Sequence, residues 1–194
     1  MGEMVESLGF PKAVNPATIA IFSVSQSAAR IVTGITSEAA LKWKVPFLGF
    51  PHGIPRPFFL AVASAVCFAS HIMLANVNSQ LYFVIACTIS GLAFGMAWPL
   101  MVLIVGDVFG TSHAGANYMM YDGSTKALGT IILSQYVAAN VYQMHVDKTV
   151  DEFTCYGPSC FQETHLTIAA LALTGVVASF GLMYTTRHAY DHSN

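Results

Sequence analysis

Long apolar stretches constrain the fold of this chain more than any other feature of its sequence. Residues 81–105, LYFVIACTISGLAFGMAWPLMVLIV, contain no charged side chain, and about 20 such residues are enough for a helix to cross a bilayer. Over the whole chain 55% of the residues are hydrophobic and 9% are charged, whereas a soluble domain has roughly 25% charged residues. The sequence therefore predicts an integral membrane protein with several spans.

The apolar stretches alternate with short polar segments, which predicts an all-α bundle of about five transmembrane helices in a single membrane domain, residues 1–194. The predicted spans are residues 15–37, 58–76, 81–105, 117–142 and 166–184. The residues before the first span are expected to form a polar loop, and those after the last span a short polar tail.

The distribution of basic residues predicts the orientation of these spans. With five spans the two termini lie on opposite sides, and the basic residues then divide unequally between the two faces. One face holds Lys42, Lys44, Arg56 and Arg187, and the other holds Lys12 and Lys148. Because cytoplasmic loops carry an excess of Lys and Arg, we expect the C-terminus on the cytoplasmic side of a membrane that the sequence does not identify.

One predicted span, residues 117–142, contains two charged residues. Asp122 and Lys126 are four positions apart, so they share a helix face and can form an ion pair. At about 1.5 Å per residue Lys126 lies roughly 14 Å along the helix, close to the centre of a core about 30 Å thick. Charges at such depth are expensive and commonly mark a functional site. Two interpretations stay open: a salt bridge that fixes helix packing, or a cation that attracts an anionic solute with Asp122 as its partner.

Other polar and aromatic residues within the spans are candidates for the same solute path. They are Gln26, Trp98, Tyr118 and Tyr121. Trp98 is equally compatible with a core-filling role. His71, a single histidine in an otherwise apolar span, is interpreted as a packing residue rather than a proton carrier.

The third predicted span carries signals for close packing and for a bend. Gly91 and Gly95 form a GxxxG pattern, which allows another helix to approach closely. Pro99 is expected to kink the helix or to break its hydrogen bonds near Gly95.

Cys155 and Cys160 flank a Gly-Pro turn, so a short disulfide between them is geometrically plausible if their side of the membrane is oxidising. Two free thiols are an equally good interpretation.

Several classes of function find no support in the sequence. The chain contains none of the common hydrolase, phosphate-binding or zinc motifs, so we expect neither catalysis nor a cofactor or metal. With a net charge of −2 and no basic cluster, nothing indicates a nucleic-acid partner.

Segments along nearly the whole chain resemble the nodulin-like transporters of the major facilitator superfamily. Residues 23–38, SVSQSAARIVTGITSE, resemble the helix-8 signature of that family, although Ala29 stands where the family usually has glycine. Residues 91–101, 105–124 and 155–161 are similar to helix 10, to the start of helix 11 and to the cysteine-containing loop before helix 12, and residues 4–10 to the segment after helix 7.

The resemblance implies a C-terminal portion of a secondary transporter, corresponding to helices 8 to 12, that moves a small solute by alternating access. Related members are linked to small organic anions such as monocarboxylates. It also implies a gating role for a degenerate loop motif formed by Arg30, Gly34, Glu38 and Lys42.

Five helices of this kind would leave polar faces exposed to lipid, so we expect a membrane partner. This partner is the missing N-terminal half of a transporter, another copy of the chain, or other membrane subunits. The alternative to transport is a structural membrane subunit that uses the same helices for assembly in a larger complex.

Overall fold

The computed structural model describes residues 1–45, 53–146 and 154–191, which form an all-α bundle. The α-helices are α1 (Gly2–Ser7), α2 (Val14–Ala40), α3 (Arg56–Ala75), α4 (Gln80–Phe109), α5 (Ala114–Leu128), α6 (Ala139–Met144), α7 (Ser159–Thr185) and α8 (Arg187–Asp191). A π-helical segment, Gly129–Ala138, connects α5 directly to α6.

Four of the described helices are long and apolar enough to cross a membrane, namely α2, α3, α4 and α7. Between 11% and 33% of the residues in their apolar windows are buried inside the bundle. Most of their apolar side chains must therefore face lipid or a partner, since water would expose them at a large cost in free energy. The chain is an integral, multi-pass membrane protein.

The predicted span 117–142 differs from the other four. The structure has no single α-helix there: α5, the π-helical segment and α6 follow one another without a break from residue 114 to residue 144. Hydropathy does not reveal this change in helix type, because it depends on the hydrogen-bond register. π-helical turns are rare and often occur at functional sites.

Successive helical stretches run in opposite directions, so their ends gather at two opposite ends of the bundle. At one of them, the cluster end, the side chains of Glu38 (α2), Arg56 (α3), Asp107 (α4) and Tyr190 (α8) meet. At the other, the disulfide end, α1 packs against the connection between α3 and α4, and the Tyr142 hydroxyl accepts a hydrogen bond from the backbone N–H of Cys155. The helical stretch 114–144 thus runs between the same two ends as the four apolar helices.

Two short helices replace segments that were predicted to be polar loop and tail. α1 forms because Met4 and Val5 are buried against Leu74 and Phe83, so its acidic residues occupy only one side of the helix. α8 follows α7 directly and places Tyr190 against Asp107. The prediction of an irregular N-terminus and C-terminus was wrong at these two places.

The helices α2 and α4 cross at the two glycines of the GxxxG pattern. A Cβ atom on Gly91 would lie 2.3 Å from the Ser25 Oγ, and one on Gly95 would lie 2.2 Å from the Gln26 carbonyl oxygen. Neither distance leaves room for a methyl group, so only glycine permits this approach. Pro99 lies inside α4, which remains helical to Phe109.

Candidate functional site

A cavity lies between α4 and the first turns of α5, with a volume of about 270 Å³. Its wall is largely aromatic and apolar, with one acidic and one basic side chain. The residues that line it are Phe94, Ala97, Trp98, Met101, Tyr118, Tyr121, Asp122, Thr125 and Lys126. We call it the α4–α5 pocket.

The two charged residues of the α4–α5 pocket form an ion pair along α5. The Lys126 Nζ donates a hydrogen bond of 2.8 Å to the Asp122 Oδ2. The Lys126 side chain is 59% exposed and that of Asp122 is 18% exposed. On a helix surface in water, a pair at this spacing is worth about 0.3–0.5 kcal/mol. Inside an apolar span a charge is expensive unless it is paired, so Lys126 can leave Asp122 only for another anion.

Trp98 is the central aromatic residue of the α4–α5 pocket. The Lys126 Nζ lies 4.5 Å from the centroid of its ring and the Arg30 Cζ lies 5.5 Å from it. Both distances fall within the range of a cation–π interaction. Two cations from two different helices, α2 and α5, therefore meet at one indole ring on α4.

Arg30 differs from Lys126 because no carboxylate in the described part of the chain forms an ion pair with it. Its guanidinium group also lies 5.9 Å from the Phe94 ring, and the side chain is exposed. Arg30 and the charged residues that line the pocket thus amount to two cations and one anion.

The two tyrosines complete the aromatic wall on the α5 side. Tyr118 packs edge-on against Trp98, with ring centroids 6.4 Å apart and an interplanar angle of 76°. Tyr121 lies one turn further along α5 and lines the same pocket.

Gln26 is the one predicted path residue that the structure places elsewhere. It lies at the crossing of α2 and α4, where its backbone touches Gly95, and it does not line the α4–α5 pocket. Its Oε1 atom is buried and has no hydrogen-bond partner among the residues that the structure describes. A polar residue in a membrane helix predicts a polar environment, but it does not indicate which neighbouring helix provides it.

Arg56 holds the cluster end together. Its side chain is only 7% exposed and forms ion pairs with both Glu38 and Asp107. These contacts join the end of α2, the start of α3 and the end of α4. Removing one partner from a buried ion pair is costly, because the charge that stays behind is uncompensated.

Asp107 also binds the C-terminal part of the chain. The Tyr190 hydroxyl donates a hydrogen bond of 3.0 Å to the second Asp107 carboxylate oxygen. Burial of the phenol and the nearby Asp107 carboxylate raise the pKa of Tyr190 above its usual value, so Tyr190 stays a neutral donor.

The four residues of the predicted gating motif lie in different surroundings. Glu38 pairs with Arg56 rather than with Lys42, and Lys42 is exposed in the turn that follows α2. At Gly34, no described residue beyond the glycine's own stretch of α2 comes within 4 Å of the position of a Cβ. Arg30 lies two turns before Glu38, beside Trp98.

Sequence reasoning missed Arg56, Asp107 and Tyr190 as members of a charged cluster. Each lies at or just beyond the end of an apolar stretch, and such positions were read as loop or tail. The direction of the predicted spans was a usable signal. Because five spans alternate in direction, the end of α2, the start of α3, the end of α4 and the end of α7 all lie on one face, and these polar residues lie at those ends.

The cysteine pair lies at the disulfide end. Cys155 and Cys160 form a disulfide with their Cα atoms 5.9 Å apart, and both residues are fully buried. The backbone N–H of Gly157, between them, donates a hydrogen bond to the Ser7 carbonyl oxygen. The turn thereby connects the start of α7 to α1.

Within the described ranges no group of three or more His, Cys, Asp or Glu side chains could hold a metal ion.

No protein-family model matches the chain, and no solved structure matches it. Among curated proteins, the chain is 21% identical over 192 residues to the "Probable transporter MCH1" of Yarrowia lipolytica. The match covers 95% of this chain and 35% of that protein. The chain therefore spans about a third of the length of a relative that is named a probable transporter.

Proposed function

We propose that this chain is part of a secondary transporter of the nodulin-like major facilitator class. In this proposal the α4–α5 pocket lies on the path of a small organic anion such as a monocarboxylate. The observation that carries it is the meeting of Arg30 and Lys126 at Trp98, beside a pocket that Asp122, Tyr118 and Tyr121 also line. The similarity to a probable transporter favours transport over catalysis.

The balance of charge supports an anion. Asp122 compensates Lys126, whereas Arg30, the other cation at Trp98, has no carboxylate partner among the described residues. A carboxylate that enters the pocket can bind Arg30 and draw Lys126 away from Asp122. Such a ligand can accept charge-assisted hydrogen bonds, which are among the strongest in proteins, from both cations in exchange for the single pair with Asp122.

The size and the lining of the pocket support a small solute with an apolar part. A volume of about 270 Å³ lies just below the roughly 300–1,000 Å³ of typical ligand pockets. Trp98 and Phe94 offer apolar surface next to the cations, which suits a short carbon chain attached to a carboxylate.

The cluster end is proposed as a gate. Arg56 ties the ends of α2, α3 and α4 together through Glu38 and Asp107. Alternating access requires such ends to separate in one state and to close in another. Both ion pairs share Arg56, so a movement of this side chain would break or re-form them together.

The proposed orientation puts the cluster end and the C-terminus in the cytoplasm. Lys42, Lys44, Arg56 and Arg187 lie at this end, in line with the positive-inside rule. The Cys155–Cys160 disulfide then faces the side that is oxidising in most cells. Lys148, which was counted for the opposite face, lies outside the described residues.

A partner is part of the proposal, since solute sites in such transporters lie between two halves. Large apolar side chains are exposed along α2, among them Val24, Ile31 and Ile35. Lipid, a second copy, the missing half or other subunits would cover them.

Uptake by reconstituted protein tests the proposal. The gene product that contains this chain is placed in liposomes, and uptake of a labelled short monocarboxylate is measured for the unaltered protein and for Lys126→Met and Arg30→Gln. We expect each substitution to reduce uptake at least about tenfold, which corresponds to about 1.4 kcal/mol of lost interaction.

Lys44→Gln is the matched control, because Lys44 is an exposed cation after α2 and lies outside the α4–α5 pocket. It should leave uptake unchanged. Equal uptake by all four proteins would refute the role of the pocket. A protein that transports nothing and purifies in a fixed ratio with other membrane subunits would instead support the structural alternative.

A further inference from the structure

Two histidines from different helices are in direct contact near the disulfide end. The Nδ1 atoms of His71 in α3 and His165 in α7 lie 3.0 Å apart. Their ring centroids are 5.2 Å apart and the rings are tilted by 38°. The pair joins α3 to α7, and α7 makes most of its helix contacts with α3.

A separation of 3.0 Å between two ring nitrogens requires a proton between them. One imidazole must donate its Nδ1–H and the other must accept with the lone pair of its Nδ1. The two neutral rings are therefore opposite tautomers: the donor carries its proton on Nδ1 and the acceptor carries its own on Nε2.

This arrangement limits the number of protons that the pair can bind. A first added proton goes to the free Nε2 of the donor ring, which becomes an imidazolium whose Nδ1–H still donates, now in a charge-assisted hydrogen bond. A second proton would have to enter at the accepting Nδ1. Two N–H groups and two positive charges would then face each other, and the contact could not persist.

A cavity of about 260 Å³ adjoins the pair and provides space for water and for proton exchange. It is lined by Met1, which precedes α1, and by residues of four helices: Glu3 and Met4 of α1, His71 and Leu74 of α3, Phe83, Cys87 and Ser90 of α4, and Phe161 and His165 of α7.

The titratable groups around the pair come from each of these helices. α1 contributes Glu3, and α4 contributes Cys87. On the histidines' own helices, Cys67 precedes His71 by one turn and the exposed Glu163 precedes His165 by two residues. Glu3 is thus the carboxylate that lines the cavity with the pair, and it can balance one added charge but not two.

We propose that His71 and His165 form a proton-binding site that accepts a single added proton while their rings stay in contact, and that a second added proton breaks this contact between α3 and α7. The site responds to the pH on the side of the disulfide. It does not depend on the proposed transport activity. It gives His71 a role as a proton carrier, which the sequence interpretation had placed second to a packing role.

Nitrogen NMR of the chain labelled with ¹⁵N at histidine, in lipid nanodiscs, tests this site. Near neutral pH we expect one of the two residues to carry its proton on Nδ1 and the other on Nε2. On acidification one proton should bind without loss of the contact between the rings, and a second should abolish that contact. His71→Gln should move the titration midpoint of His165 by at least about one pH unit, as expected of strongly coupled groups.

His113→Gln is the matched control, since His113 is exposed at the start of α5, and it should leave the His165 midpoint unchanged. Identical tautomers at both positions, or a His165 midpoint that His71→Gln does not move, would overturn the proposal. If His71→Gln does not fold, the tautomers of the unaltered chain still decide the question.

Discussion

The two carboxylates that pair with Arg56 differ in their exposure. The Asp107 side chain is 23% exposed and the Glu38 side chain is 64% exposed. Water screens the contact with Glu38 and thereby weakens it, whereas the contact with Asp107 lies closer to the interior and also holds Tyr190. Asp107 should therefore contribute more to the stability of the cluster end.

This difference predicts unequal effects of two matched substitutions. Asp107→Asn should lower the free energy of unfolding by about 2 kcal/mol, because the buried Arg56 loses its better-shielded counter-ion. Glu38→Gln should lower it by less than about 1 kcal/mol. Denaturant unfolding in detergent measures both values, and a larger effect at Glu38 would show that the cluster does not rest on Asp107.

Several residues that line the pocket could be selected from the sequence by their side-chain chemistry. A charged side chain inside an apolar span is costly and commonly marks a functional site, and large aromatic residues in the same spans were candidates for the same solute path. Asp122 and Lys126 stood out for their charge, and Trp98, Tyr118 and Tyr121 for their rings. Arg30 was also identified, but for gating; its contact with Trp98 depends on how α2 turns against α4, which local sequence does not encode.

Among the elements, the crossing of α2 and α4 controls the geometry of the pocket, since it brings Arg30 towards Trp98. Gly95 makes this crossing possible: its added Cβ would lie 2.8 Å from the Ala29 Cβ as well as 2.2 Å from the Gln26 carbonyl oxygen. Gly34 lies in α2 with open space where its Cβ would be.

These two glycines give a second matched pair. Gly95→Ala should destabilise the chain by about 1–3 kcal/mol, because α2 and α4 must move apart. Gly34→Ala should stabilise it by about 0.5–1 kcal/mol, since alanine loses less backbone entropy in a helix. Thermal unfolding of both variants checks this, and a neutral Gly95→Ala would mean that the helices do not approach as closely as described.

Hydropathy predicted the positions of the four apolar helices, but not their ends or the change of helix type after Gly129. The four apolar helices lie where the sequence predicted them, with ends extended by as many as seven residues, as at the start of α7 (Ser159 against the predicted residue 166). Polar first and last turns such as that of α7 escape a hydropathy criterion. The π-helical segment after Gly129 escapes it as well, since its residues have an ordinary composition.

Across the whole bundle, the alternating directions of the helical stretches keep two polar features apart. The Arg56 cluster lies at one end of the bundle, and the His71–His165 pair lies near the other end. The all-α multi-pass fold was predictable from the apolar stretches. The pairing of α7 with α3 was not, because it depends on packing between helices that are distant in sequence.

We propose that the α4–α5 pocket binds a small organic anion at Trp98. The chain has two tryptophans, so Trp43→Phe leaves Trp98 as the only indole reporter. Its fluorescence during titration with a short monocarboxylate should change saturably, and the matching uncharged amide should have no effect. We expect Lys126→Met and Arg30→Gln each to weaken this response at least about tenfold. A fluorescence that does not change with the monocarboxylate, or that changes equally in the presence and absence of the two cations, would contradict the assignment of the pocket.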